Sequence, residues 1–545
     1  MAVLLIFSSF VMATGQLFFS ANPIDPEGRL PFDAVCVQQV NDDYYLFLPG
    51  AFNSESLYVC CTDTETVEIE DKPFLPDEPV EMLKPGQNVK IKIDGKSRIV
   101  HVYQGSQIHA VFLDSSSGSF SHINKSKQNL EAGSALIMSP DGIAEYQGGV
   151  ESIRLRGNST TSYSKKNYNI KLDSKANIAG MGKAKKWVLV SSVKDHSLLR
   201  NQIIFDMARY VGLPFSLDLV PCDVWLNHVY FGEYILTEKI EIGSNRIEIN
   251  DLKKETEKVN DAELDTYPQA GAQKLKYGEA KYYAIPNDPD DITGGYILEY
   301  ENYQKRYEDD PSAYTTERGK VIVVKEPKEI SKAQAEYIGS FIQGYENAIF
   351  AKDGVEPVSG KHYYEFMDFE SLVLKYMLEE IAKNEDGNAS SQYYFKPSDK
   401  ESTVGFAGPA WDYDVTFGGF APEDKTTLLN PKGFYQNRNS SSQYWWPQLC
   451  AKSEFADAVI LMWNERYSPA IKILLGEGND PQGRLRSIDE YASEIKESAN
   501  MNFVRWPIHY TNENVARTGR SFEANIDYLK DFIQKRFSFL EENWQ

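Results

Sequence analysis

Gly405–Gly419 reads GFAGPAWDYDVTFGG, and shortly before it Lys383–Gln392 reads KNEDGNASSQ, followed by the strand-like Tyr393-Tyr394-Phe395. The connector Lys396–Val404, rich in Pro, Ser, Asp and Lys, has the composition of a turn between strands. Each acidic cluster therefore lies at the end of a short apolar strand, and the two can face each other across one turn. Asp412 and Asp414 flank Tyr413, so an extended segment would point both the same way. Hard divalent cations take carboxylate and amide oxygens, and Mg²⁺ in phosphoryl-transfer sites uses one or two carboxylates plus the phosphates of its substrate. The same pattern also suits a turn whose Asp side chains satisfy local backbone N–H groups. The rest of the chain has to decide between the two.

Over 545 residues the formal net charge is −22, which argues against a nucleic-acid partner because phosphate backbones demand clustered Lys and Arg. A composition 42% hydrophobic and 13% aromatic supplies material for real cores and excludes a disordered chain. Residues 1–20 hold the one long apolar run, uncharged up to Gly15, with Val11-Met12-Ala13 as a small-residue site. That resembles a signal segment without its basic start, too short for a membrane span; a buried N-terminal strand is the alternative. Nothing later is apolar for long enough to span a bilayer, so the body is expected to have no transmembrane segment. Cys36, Cys60, Cys61, Cys222 and Cys450 show no zinc-ligand spacing. Cys36 could pair with Cys60 or Cys61 in an exported chain, and buried free thiols fit equally.

Short alternating runs separated by turn residues over 25–108 predict a small all-β, sandwich-like module without a catalytic cluster. From 109 onward the grammar changes. Ile153 and Leu155 alternate with polar residues before Gly157-Asn158, and Tyr168, Ile170 and Leu172 alternate after it, which predicts a strand, a polar loop and a strand. Arg156, Asn158, Ser159 and Thr160 are donors there, with Lys165, Lys166 and Lys171 beside them. Such a loop can lie over phosphates through its backbone N–H groups, or be a hairpin with solvated lysines. Asp195 is the expected N-cap of a helix running to Val211, and a hairpin over Cys222–Thr237 ends at Glu238. The charged, Pro-rich 250–290 stretch has the look of an insertion or mobile loop. Helices capped by Ser331 and by Asp368 follow, the second leading straight into the Asp386 loop, and further helices are expected to the C-terminus.

In that order, strands with a polar loop, a lysine-bearing strand, a helix, more strands and a helical part opening onto two acidic loops match an α+β, bilobal protein-kinase-like fold. Six motifs are more specific: Gly157-Asn158-Ser159-Thr160; Lys165-Lys166 with Tyr168, Ile170, Lys171 and Leu172; Asp195 with Ser197-Leu198-Leu199-Arg200-Asn201; Gly232 with Tyr234-Ile235-Leu236 and Glu238-Lys239-Ile240; Gly294-Gly295-Tyr296 with Leu298-Glu299; and Trp411-Asp412-Tyr413-Asp414. Together, over about 109–475, they resemble the CotH family of spore-coat and surface proteins with an atypical kinase fold, and 476–545 would be C-terminal helices on the second lobe.

The resemblance implies ATP, Mg²⁺ or Mn²⁺, a protein substrate with a Ser or Thr acceptor, and a secreted or cell-surface location. It makes Asp386 the catalytic-loop acid and Asp412 the metal ligand, with Asp414 in support. Gln392 stands where the family has Asn, and Asn388 is the other amide available to the metal. Lys166 or Lys171 would meet the phosphates, with Arg156 and Asn158 from the loop. Glu238 lies where a kinase hinge would, a place Val323–Pro327 could also fill. A binding protein that keeps the fold without the chemistry is the rival, supported by the β module, the Tyr444-Trp445-Trp446 run and the Gln392 substitution. A glycoside hydrolase using Asp386 and Asp412 as its carboxylate pair would have no use for the lysine strand.

Overall fold

A computed structural model describes residues 17–25, 29–60, 67–74, 78–93, 95–301, 310–419, 426–438, 444–508 and 519–545. The chain is α+β and forms two compact units: Met1–Leu198, Leu219–Lys239 and Asp489–Phe522 in the first, Leu199–Asp218, Ile240–Ile488 and Glu523–Gln545 in the second. Residues 1–16 of the apolar N-terminal run lie outside the described residues, as does Cys61. Its end, Phe18–Ser20, is a buried strand paired with Val35–Cys36 and Leu57–Cys60, and Cys36 is a free buried thiol.

The first unit begins with a four-stranded and a six-stranded sheet over residues 18–104. Alternation sends Leu46, Leu48, Val59, Ile69, Ile91 and Val100 into one shared apolar core, the sandwich-like packing that period-2 patterning requires. Next comes a closed barrel in the order His109–Ser115, Leu130–Met138, Ala144–Arg156, Asn167–Asn177, Lys183–Val190, Val229–Glu238 and Leu219–Leu226, sealed by parallel pairing of His109 with Cys222. Closure leaves this sheet without an open edge strand.

The second unit is built on a seven-stranded sheet in the order Gln269–Lys274, Glu279–Tyr283, Ala313–Thr315, Val321–Glu326, Tyr296–Tyr300, Gln392–Lys396 and Phe406–Ala407. Helices Lys332–Phe350 and Phe369–Ala382 follow the expected caps: Ser331 and Gln334 form a reciprocal capping box, and Asp368 accepts from the Ser371 N–H at 2.8 Å. Two expectations need correcting. The helix near 195 starts at Arg200 with Leu199 as its cap, because Asp195 spends its carboxylate on the backbone and hydroxyl of Ser197. Residues 250–290 are not a loop throughout: Leu252–Lys258 is a helix capped by Asp251, and two strands of the sheet follow it. Its hydrophilic composition reflects an exposed edge strand.

Inside the first unit a polar cluster is sealed from water. Lys165 donates to the Glu233 carbonyl and, at 2.8 Å, to Asn502 Oδ1, while Asp223 accepts from Ser498 at 2.6 Å and Tyr230 at 2.8 Å. Burial pushes the Asp223 carboxyl up from 3.8 to about 7 and the Lys165 ammonium down to about 8. Between 3.8 and about 7 the folded Asp223 keeps a proton that the unfolded one has lost, so this group's contribution to stability falls as pH rises; Lys165 titrates above that window. Denaturant titrations should show Asp223→Asn gaining stability relative to the wild type across that range. A difference independent of pH would contradict the sealed environment.

Candidate functional site

Helix Phe369–Ala382 is buried almost throughout, which explains why its apolar residues are not confined to one stripe. It ends at Lys383, whose left-handed conformation (φ 49°) turns the chain out of the helix and whose ammonium donates to the carbonyls of Asn430 and Lys432 at 2.7 and 2.8 Å. Burial, then repulsion from Arg536, pushes that ammonium down to about 7. A single turn, Glu385–Asn388, presents half-buried Asp386. The Asp386 N–H donates to Asn384 Oδ1 at 3.1 Å, and its carbonyl accepts from Ala389 at 2.8 Å and Ser390 at 3.0 Å, so the loop is fixed on both sides of the carboxylate.

From Ser391 the chain enters strand Gln392–Lys396 and returns as Phe406–Ala407, with Tyr394 opposite Ala407 and Phe395 opposite Phe406. The Gly408 N–H still reaches the Tyr393 carbonyl at 2.9 Å. The hairpin thus carries Asp412 back to the start of the strand, where Ser391 Oγ donates to Asp412 Oδ2 at 3.2 Å. Both residues are non-glycines at positive φ, 56° for Ser391 and 68° for Asp412. Such conformations cost on the order of 1–3 kcal/mol each and persist where the surroundings over-determine them. They also break the extended geometry on which a shared orientation of the two Asp residues rested: Asp412 is exposed and Asp414 is buried.

The amides divide their roles. Asn388 commits its NH₂ to Gln436, at 2.7 Å to the side-chain oxygen and 3.3 Å to the carbonyl, and so latches the loop. Gln392 donates to the Ser390 carbonyl at 3.3 Å, which leaves its Oε1 buried and, among the described residues, without a hydrogen-bond partner. The orphaned Gln392 oxygen, the Ser391 hydroxyl and the exposed Asp412 carboxylate are hard-oxygen donors of the kind a divalent cation takes. Among the described residues no group of three or more His, Cys, Asp or Glu is arranged around a metal position. That is compatible with Mg²⁺ held by one or two carboxylates and completed by phosphates.

Under the loop lies a charge that sequence reasoning did not single out. Glu380, fully buried, accepts the Arg536 guanidinium at 2.8 Å, the N–H groups of Tyr435 and Gln436 at 2.7 Å each, and that of Asn437 at 3.1 Å. Arg536 in turn donates to the carbonyls of Pro431, Gly433 and Glu380. Gln436 relays this scaffold to Asn384 O at 2.5 Å and Asn388, and Trp446 Nε1 holds the Gly387 carbonyl at 2.6 Å. A Cβ on Gly387 would lie 2.5 Å from the Gln436 amide, so any side chain there would have to displace that amide from its bonds to the loop. Depth of burial and a partner well over a hundred residues away leave no local sequence signal for Glu380 and Arg536.

Residues 153–540 match a family model described as CotH kinase protein, more than two thirds of the chain. The chain belongs to the CotH kinase protein family. The match runs on into helix Phe522–Asn543 as far as residue 540, further than the motifs reached, and so includes Arg536. No curated protein matches the chain.

The remaining expected residues of this CotH kinase-family chain belong to the first unit. Lys171 forms an ion pair with Glu151, which also binds Lys185 at 2.5 Å, four ladder positions from the end of the Arg156–Asn167 pairing. Lys166 donates to the Thr161 carbonyl at 2.6 Å, within the polar loop, and Asn158 accepts from Lys127 at 3.1 Å. Arg156 ends its strand, and Glu238 is buried at the end of the barrel strand opposite Trp187.

Removing one partner of a buried ion pair strands the other. Arg536→Met should therefore cost about 3–5 kcal/mol of stability in urea titration. The Arg536→Met/Glu380→Gln double variant should recover much of that. Equal losses in the single and double variants would contradict the pairing argument.

Proposed function

We propose that this chain is an ATP- and divalent-metal-dependent protein kinase of the CotH type, transferring phosphate to Ser or Thr of a protein, with the bilobal kinase-like organisation that the family description and the two compact units support. The observation that carries the proposal is the meeting of Ser391 and Asp412, with the unpartnered Gln392 oxygen one residue further along the chain. Asp412, Gln392 Oε1 and the Ser391 hydroxyl would hold Mg²⁺ or Mn²⁺, with Asp414 behind them. When bound, the ion supplies charge neutralisation on the phosphate oxygens. Asp386 would orient the acceptor hydroxyl and take its proton as the new bond from that oxygen to the γ-phosphorus forms and the bond from the γ-phosphorus to the leaving ADP oxygen breaks. Asn388 keeps the Asp386 turn in place through Gln436 and is not needed as a ligand. Of the two lysines Lys166 is the better phosphate cation, since Lys171 is taken up by Glu151. Arg156 and Asn158 would serve from the same loop, and Glu238 as a hinge residue.

The apolar start of the chain supports export and action on secreted or surface proteins. No helix among the described residues is long and apolar enough to cross a membrane. The binding-only alternative loses one support, because Trp445 and Trp446 are buried, with Trp445 Nε1 on Glu346 at 3.0 Å.

Asp412→Asn keeps a residue type that tolerates positive φ while removing the charge. Incubated with γ-labelled ATP, Mn²⁺ and casein, the wild type should transfer label, and Asp412→Asn should lose the transfer with its melting temperature nearly unchanged. Undiminished transfer by Asp412→Asn would refute the assignment.

A further inference from the structure

Four buried side chains sit between the Asp386 and Asp412 loops and belong to neither ligand set. Glu379 is fully buried and its two oxygens face different loops. Its Oε2 accepts from Asn384 Nδ2 at 2.7 Å, and Asn384 Oδ1 in turn accepts the Asp386 N–H at 3.1 Å. Oε1 accepts from the Tyr413 hydroxyl, and Tyr413 is the residue between Asp412 and Asp414. Lys375, one helical turn earlier, closes the group: its ammonium lies 2.8 Å from Glu379 Oε1 and donates to the Tyr413 hydroxyl at 3.0 Å. The Tyr413 N–H is fixed separately by Asn201 Oδ1 at 2.8 Å.

A buried Lys–Glu pair needs only itself to be neutral. Here the pair is also spent on one hydrogen bond to each acid-bearing loop, with a single carboxylate as the common acceptor. We infer that Glu379 is a positioning residue that couples the two loops, so that the Asp386 turn and the Asp412 turn adopt their working geometry together. The inference rests on the metal-dependent reading of Asp412. Lys375 holds Glu379 in place through their ion pair; Tyr413 and Asn384 are its two arms. Partners that orient the ligands of a metal in this way are worth roughly tenfold to a hundredfold in metal affinity.

Tyr413→Phe deletes one arm while keeping the ring in the core and the Lys375–Glu379 pair intact. The readout is Mn²⁺ affinity of the full chain in the presence of a non-hydrolysable ATP analogue, followed by the paramagnetic signal of free Mn²⁺, together with the melting temperature. Tyr413→Phe should weaken Mn²⁺ by roughly tenfold to a hundredfold without a matching loss of melting temperature. Lys375→Met/Glu379→Gln, which removes the charges as a pair, should show a comparable loss, and adding Tyr413→Phe to it should cost little more, because the arm has no charged acceptor left. Wild-type Mn²⁺ affinity in Tyr413→Phe and in the paired variant, with affinity lost in Asp412→Asn, would overturn the coupling and leave the metal site standing. Wild-type affinity in Asp412→Asn as well would remove the metal reading and this inference with it.

Discussion

Two adjacent carboxylates, Glu379 and Glu380, are fully buried in the last turn of one helix. That is the least favourable place for them: the helix dipole is negative there, and each buried charge costs several kcal/mol unless it is paired and hydrogen-bonded. The helix has no basic residue in its last turn to answer the dipole. Compensation therefore comes from elsewhere in the second unit. Lys375 and the Asp386 and Asp412 loops answer Glu379, while Arg536 and the 435–437 backbone answer Glu380. The loops that carry the acids of the site are ordered because they solve a charge problem beneath them.

Seen this way, the oddities of the site divide into two kinds. Asn388, Gly387, Gln436, Trp446 and Arg536 are satisfied groups whose bonds close on one another, as expected of scaffold. Ser391, Gln392 and Asp412 differ: two have strained backbones, one presents an orphaned oxygen, and the carboxylate is exposed. Strain and an unsatisfied acceptor in these residues are what the proposed function uses: they are where it would receive its ligand.

Much of this was legible in the sequence because it depends on local physics. Alternation gave the barrel hairpin around Gly157, the caps at Ser331 and Asp368 placed their helices, and the two acidic loops were recognisable from their flanking strands. The CotH resemblance drawn from short motifs agrees with the family match. What stayed hidden depends on distance or on backbone detail. Asp195 reads as a helix cap until Ser197 is seen to take its carboxylate. Asp412 and Asp414 read as a pair on one face until the φ of Asp412 is known. Glu380 and Arg536 are 156 residues apart and look like any solvent-exposed charges of two amphipathic helices. Part of the 250–290 stretch is polar because Gln269–Lys274 forms the sheet edge, and composition cannot separate an edge strand from a loop.

The account stands on a nucleotide–metal site at Asp412, and the most direct measurement is thermal melting with a non-hydrolysable ATP analogue, Mn²⁺, or both. A ligand that binds only the folded state must raise the midpoint. The account predicts a rise with analogue and Mn²⁺ together that is far larger than with either alone. An unchanged midpoint at millimolar analogue and Mn²⁺ would contradict it and leave a CotH-family fold used for binding alone.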